Sequence, residues 1–128
     1  MTAKCLQDRV ALVFGAGSCA PGWGNGKATA VTLARAGAIV IAIDINPAAA
    51  EETRSIIAGE GGRAEAHTCD VTQSGPVKAL VDDVAARLGR IDMLHNNVGI
   101  TAMGGVIDES EDSFRHVMET NLTSAFIT

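Results

Sequence analysis

Four runs of strand length punctuate the chain: RVALVF (Arg9 to Phe14), AIVIAI (Ala38 to Ile43), RAEAHTC (Arg63 to Cys69) and IDMLHN (Ile91 to Asn96). All but RAEAHTC are nearly continuous apolar sequence rather than alternating, the pattern expected of parallel strands covered on both faces. Between them the spacing turns helical. Lys27 to Ala36 is Ala-rich, with Val31, Leu33 and Ala34 as apolar positions and Gly37 as a C-terminal stop. Asn46 and Pro47 read as the N-cap and first position of a second helix that halts in the Gly59–Gly62 stretch, and Thr72 reads as the cap of a third, with Pro76 in its first turn and Gly89 at its end. The segment DESEDSFRHVMETNLTSAFIT opens with acidic and serine residues suited to a helix start. It then places Phe114, Val117, Met118, Leu122, Ala125 and Phe126 at helical spacing. Asn121 falls on that same face and is expected to be buried with hydrogen-bond partners.

Strict alternation of strand and helix predicts an α/β fold, a Rossmann-like doubly wound parallel sheet of about four strands and four helices, joined by right-handed crossovers. No linker, repeat or low-complexity tract divides residues 1–128, so one domain is expected. With 47% hydrophobic residues the chain can bury a core. Its net charge of −5 gives no basic field for a nucleic-acid backbone or an anionic membrane. The N-terminal stretch resembles neither a signal peptide nor a spanning helix, and a cytoplasmic location is the resulting expectation. Cys5, Cys19 and Cys69 are odd in number and lack any C-x-x-C pairing, so free, mostly buried thiols are expected. His67, His95 and His116 lie on different elements without i, i+4 pairing, and no metal site is expected.

In an open α/β sheet, ligands bind beyond the carboxyl ends of the strands. The first strand ends in FGAGSCAPGWGNGK. As a nucleoside-triphosphate loop this fails, because Gly26–Lys27 precedes Ala28 rather than Ser or Thr and Pro21 stands at the leading glycine position. As a dinucleotide loop it fits, since Gly24, Asn25 and Gly26 lead directly into a helix whose N–H groups can take a pyrophosphate. The second strand ends at Asp44, eighteen residues after Gly26, near the separation of about twenty at which an acidic residue meets the adenosine ribose. A carboxylate there repels a 2′-phosphate, and Ile45 and Asn46 offer no cation to accept one, so NAD is expected over NADP. The third and fourth strands end in Cys69-Asp70-Val71 and Asn96-Asn97-Val98-Gly99, which aims small or polar residues at the same rim.

These residues resemble the short-chain dehydrogenase/reductase family, and the resemblance runs along essentially the whole chain. Gly15, Gly24 and Gly26 match the glycines of the family's T-G-x-x-x-G-x-G, with Phe14 in place of Thr and the stretch Ser18 to Trp23 lengthening the loop by roughly five residues. Added length of this kind costs little loop entropy. The resemblance implies that Gly15, Ser18, Gly24, Asn25 and Gly26 hold the pyrophosphate and nearby ribose, and that Asp44 and Ile45 lie at the adenosine ribose. It places Asp70 and Val71 at the adenine, and Asn97, Val98 and Gly99 along the middle of the cofactor. Asn121, in METNLTSAF, matches the family's catalytic Asn, which positions a water for a proton relay.

The implied activity is an NAD-dependent interconversion of a small alcohol and ketone. The nearest alternatives are an NADPH-dependent carbonyl or acyl-carrier reductase and a non-catalytic nucleotide-binding or dimerisation module. The family's Ser and its Y-x-x-x-K pair, whose lysine lowers the tyrosine pKa for proton transfer, have no counterpart here, because the chain contains no tyrosine. The expectation is that they lie beyond Thr128 and that residues 1–128 form the N-terminal part of a single NAD(P)-binding domain, inactive alone. In the family the last helix packs on its counterpart in a second subunit, which implies a homo-oligomer.

Overall fold

The structure, a computed structural model, describes residues 4–128. β1 (Val10–Phe14), β2 (Ile39–Asp44), β3 (Arg63–Thr68) and β4 (Met93–Asn96) alternate with α1 (Asn25–Arg35), α2 (Pro47–Gly59) and α3 (Ser74–Leu88). The sheet order is β3-β2-β1-β4, with every pairing parallel. Leu12 lies opposite Ile41 on one side and Leu94 on the other.

The continuous apolar runs arise because β1 has no solvent face. Its alternate residues point to opposite sides of the sheet: Ala11 and Val13 join Ala30, Val31, Ala34 and Ile57 under α1 and α2, while Val10, Leu12 and Phe14 join Val77 and Val84 under α3. Each fully buried Val, Ile or Phe contributes roughly 1.5–3 kcal/mol relative to exposure, so these two layers dominate the folding free energy.

Local signals set most of the helix ends. Asn46 Oδ1 accepts from the N–H groups of Ala48 (3.0 Å) and Ala49 (3.4 Å) ahead of Pro47. Ser110 Oγ accepts from Ser113 N (3.1 Å) at the start of α4 (Glu111–Met118). Gly89 ends α3 with φ +72°, a left-handed conformation that a Cβ disfavours. Thr72, expected as the cap of α3, is not. Gln73 occupies the cap position without a side-chain bond, and the Thr72 hydroxyl donates instead to Asp70 Oδ1 at 2.7 Å. The acidic side chain two residues earlier is the stronger acceptor and draws Thr72 into its own turn.

Two further expectations are corrected. β4 begins at Met93 rather than Ile91, because the Asp92 carboxylate takes over the edge by accepting from Val10 N at 2.8 Å and from the guanidinium of Arg9 at 2.9 Å. Arg90 above all, then the Val10 N–H, hold the Asp92 carboxyl well below its usual range against the opposing effect of burial. Of the three cysteines only Cys69 is buried, while Cys5 and Cys19 are exposed. Burial and the neighbouring Asp70 push the Cys69 thiol up. The apolar stripe of the final helical segment is uncovered in this chain, with Phe114, Met118, Leu122 and Phe126 all exposed.

β3 is the polar edge of the sheet, and one ion-pair cluster ties it to α3. Arg87 Nη2 donates to Glu65 Oε2 at 2.7 Å and Arg87 Nε to Asp83 at 2.8 Å, while His67 Nε2 lies 2.9 Å from Glu65. The Arg87 fork, opposed by burial and aided by His67, lowers the Glu65 carboxyl from 4.5 to about 2. A depressed carboxyl contributes stability above its unfolded pKa and loses it as pH falls through the folded one. Urea denaturation is therefore expected to show the protein losing stability between pH 4.5 and about 2 more steeply than a Glu65→Gln variant, the two converging below that window. The side chain is 34% exposed, so the difference is small and shrinks with added salt. Parallel pH profiles would show that the cluster contributes nothing.

Candidate functional site

The sheet grows from β1 through β2 to β3 and then crosses back to place β4 on the other side of β1. That reversal opens a crevice between the carboxyl ends of β1 and β4, the usual place for a ligand in a doubly wound sheet. Gly15 is the first residue past β1. Its N–H donates to Ile43 O (2.8 Å), its φ is +76°, and its carbonyl accepts from Asn97 Nδ2 (3.1 Å). The crevice is thus bridged by a side chain from the β4 rim, and Asn97 N reaches Phe14 O at 3.0 Å.

Helix α1 comes very close to this turn. A Cβ on Gly26 would sit 1.7 Å from the Gly15 carbonyl oxygen and 2.8 Å from Asn97 Nδ2. Only glycine permits that approach. It puts the first-turn N–H groups of Asn25, Gly26 and Lys27, which precede the first intrahelical bond from Ala28 N to Gly24 O, at the mouth of the crevice. The first turn of α1 holds no acidic residue, so the positive end of the helix is left for an external anion.

At the end of β2, Asp44 Oδ2 accepts from Gly17 N at 2.9 Å and Oδ1 from Asn46 N at 3.0 Å. The carboxylate thereby joins the glycine loop to the start of α2. Ile45 beside it is two-thirds exposed. At the end of β3, Asp70 Oδ1 accepts from both the hydroxyl and the N–H of Thr72, bonds that hold its carboxyl below its ordinary value, while no hydrogen bond among the described residues uses Oδ2. Val71 is buried against the α3 layer, as is, in part, Val98. The structure therefore gathers Gly15, Ser18, Gly24, Asn25, Gly26, Asp44, Asp70 and Asn97 to Gly99 on one rim of the sheet, as their places at the strand ends require.

Asn121 lies elsewhere than expected. It is exposed in this chain together with Phe114, Met118, Leu122 and Phe126, because nothing among the described residues covers that face; α4 runs through one widened turn, Glu119–Thr123, into the short helix α5 (Ser124–Ile127). A π-type turn also shifts the helical phase, so residues beyond it are not in strict register with Phe114. Its amide is nevertheless fully engaged with the β4 rim: Ile100 N donates to Oδ1 and Nδ2 donates to Ile100 O, both at 2.8 Å. Gly99 is adjacent, a Cβ there lying 3.8 Å from Asn121 Oδ1.

Sequence reasoning missed three contributors. Gly17 cannot carry a side chain, since its Cβ would meet Ala49 Cβ at 2.5 Å and Asp44 Oδ2 at 2.8 Å. Thr53, fully buried in α2, donates to the Ala16 carbonyl at 2.8 Å and so fastens the loop from below. Lys27 is also buried, with its ammonium on Gly22 O at 2.9 Å. The triplet spacing Gly15-x-Gly17 was a readable signal. Nothing in the local sequence marks Thr53 or Lys27.

A parallel sheet with a glycine-tight turn, an open helix N-terminus and an acidic residue closing the next strand defines a dinucleotide-binding α/β protein. The family pattern described as short chain dehydrogenase matches residues 9–128. The chain belongs to the short-chain dehydrogenase/reductase family of oxidoreductases, whose members use a nicotinamide cofactor, NAD(P). It is 38% identical over 124 residues to 7alpha-hydroxysteroid dehydrogenase of Escherichia coli strain K12, covering 94% of this chain and 45% of that protein. It is 34% identical over 122 residues to D-threitol dehydrogenase of Mycolicibacterium smegmatis, covering 95% of this chain and 45% of the relative. A crystal structure of a short-chain dehydrogenase/reductase from Burkholderia xenovorans superposes with TM-score 0.93 at 45% identity, over 98% of this chain and 49% of that one. The chain spans about half the length of the relatives it matches. No helix among the described residues is long and apolar enough to cross a membrane.

Proposed function

We propose that this chain is the dinucleotide-holding part of an NAD-dependent oxidoreductase that interconverts a small-molecule alcohol and its ketone. The observation that carries the preference for NAD is Asp44: an acceptor-only carboxylate at the end of β2, beside the glycine turn, with Ile45 and Asn46 rather than a cation following it. Such a group accepts from ribose hydroxyls and repels a 2′-phosphate. The shape of the cofactor cradle rests on the close packing that Gly15, Gly17 and Gly26 allow, since a Cβ at any of them would meet other atoms of the protein within 3.2 Å.

In this reading the N–H groups of Asn25 and Gly26 hold the pyrophosphate, with Ser18 and Gly24 shaping the turn above it. Asp44 and Ile45 meet the adenosine ribose, Asp70 Oδ2 and the backbone of Val71 meet the adenine, and Asn97 to Gly99 border the nicotinamide side. NAD, when bound, supplies the carbon that accepts or returns hydride. Asn121 holds the Ile100 backbone in place below that end and is the residue of this chain nearest to a catalytic part. The chain brings no tyrosine, so the proton-transfer step is assigned to none of its residues. The protein is proposed to work in the cytoplasm as a homo-oligomer, with the exposed stripe of α4 and α5 as the contact between subunits.

Calorimetric titration tests the cofactor assignment. NADH is expected to bind at least about tenfold more tightly than NADPH, the equivalent of about 1.4 kcal/mol. The reverse order would favour the NADPH-dependent reductase instead, and no binding of either would remove the dinucleotide reading.

A further inference from the structure

The loop between β1 and α1 is longer than the family spacing of glycines requires, and the structure shows how the extra residues are held. The Ser18 hydroxyl donates to Gly22 O at 3.1 Å and accepts from Gly24 N at 2.8 Å. The same Gly22 carbonyl accepts from Lys27 Nζ at 2.9 Å, and Lys27 Nζ also pairs with Glu52 Oε1 on α2 at 3.0 Å. The Lys27 side chain is 2% exposed, whereas Glu52 is 59% exposed. Lysine is among the residues least often buried, and an ammonium removed from water is costly unless it is paired. A cation in the first turn also opposes the helix dipole. Neither the stability of α1 nor surface charge therefore accounts for this placement. What it does is join α1, α2 and the inserted turn at one atom.

We infer that Lys27 is a positioning residue for the dinucleotide: its buried ammonium clamps the inserted turn Cys19–Trp23 and thereby aims the N–H groups that open α1 at the pyrophosphate. The inference rests on the dinucleotide reading above. A turn ordered before binding spares the ligand the cost of immobilising it. Released, the segment from Cys19 would carry the Ser18–Gly24 bond with it, and Gly24 is the N-cap residue of α1.

The chain has one tryptophan, Trp23, and no tyrosine. Its intrinsic fluorescence therefore reports on the inserted turn. Trp23 is already exposed, so its mobility is the readout: in Lys27→Met, with far-UV circular dichroism unchanged, Trp23 fluorescence anisotropy is expected to fall, and the Kd for NADH to rise about tenfold, the range of one lost hydrogen bond to a charged group. Gly22→Ala acts on the same turn without entering the core. A Cβ there meets nothing within 4 Å, but the φ of +113° strains any L side chain, so anisotropy and Kd should shift in the same directions even if the Lys27 variant fails to fold. Folded variants with wild-type anisotropy, or with looser Trp23 but wild-type NADH affinity, would overturn the inference. If the wild-type chain binds no NADH, the dinucleotide reading itself fails and takes this inference with it. Binding by wild type that survives unchanged in both variants defeats only the inference.

Discussion

Replacing Gly26 with alanine is expected to lower the stability of the protein by about 3 kcal/mol or more and to abolish measurable NADH binding. A Cβ at this position would lie 1.7 Å from the Gly15 carbonyl oxygen, a backbone atom fixed on its other side by the Gly15 N–H bond to Ile43. No rotamer change relieves such a contact, so α1 must move away from β1. Overpacking of this kind costs typically about 1–3 kcal/mol, and more where backbone rather than a flexible side chain is struck. The displacement would also break the Asn97 Nδ2 bond to Gly15 O. Helix propensity works in the opposite direction, since alanine is about 1 kcal/mol better than glycine inside a helix. A fall in the urea midpoint with unchanged m-value would therefore isolate the steric effect. Wild-type stability in Gly26→Ala would mean that α1 does not approach the turn as described.

Asp44→Ala is expected to reverse the order of cofactor affinities. The carboxylate accepts from Gly17 N and Asn46 N and, in the proposed complex, from the ribose hydroxyls. A hydrogen bond to a charged group contributes about 1.5–3 kcal/mol, so NADH affinity should fall roughly tenfold to a hundredfold. NADPH loses a repulsion at the same time and should bind as well as before or better. Asp44→Asn separates the two effects, because the amide keeps one acceptor oxygen and removes the charge. It should weaken NADH less than alanine does while relieving NADPH to a similar degree. If both substitutions leave the ratio of the two affinities untouched, Asp44 does not face the ribose.

The sheet was readable in the sequence because burial on both faces leaves a one-dimensional trace. β1 and β2 are apolar at nearly every position, and local chemistry bounds the helices, with Gly37 after α1, Asn46-Pro47 opening α2 and Gly89 closing α3. The polar edge strand β3 was readable only by its place in the alternation. The rim residues Gly15, Gly26, Asp44, Asp70 and Asn97 were likewise found by asking what each strand delivers at its carboxyl end.

What escaped depends on which partner each side chain finds in the fold. Thr72 does not cap α3 because its hydroxyl donates to the Asp70 carboxylate two residues earlier. Asn121 is exposed because the apolar stripe it shares finds no cover among the described residues, which helical spacing alone does not reveal. Lys27 and Thr53 acquire their importance from a carbonyl in the glycine loop, 5 and 37 residues away respectively. A lysine and a threonine at such positions look like ordinary solvated helix residues. The exposure of Cys19 follows from the same inserted turn.

The pairing of β1 with β4 also orders the assembly of the molecule in time. The glycine turn and Asp44 meet across 27 residues, so the part assigned to the pyrophosphate and ribose can form once α1 and β2 are in place. The opposite wall waits far longer, because Asn97 reaches Gly15 only across 82 residues. Each doubling of a loop costs only about 0.6 kcal/mol in closure entropy, and this separation weighs lightly on equilibrium stability. It weighs more on rate, since contacts distant in sequence are the slow ones to form. A chain leaving the ribosome thus carries half a crevice, with the edge of β1 bare, until the segment that ends in Asn96 and Asn97 arrives to close it.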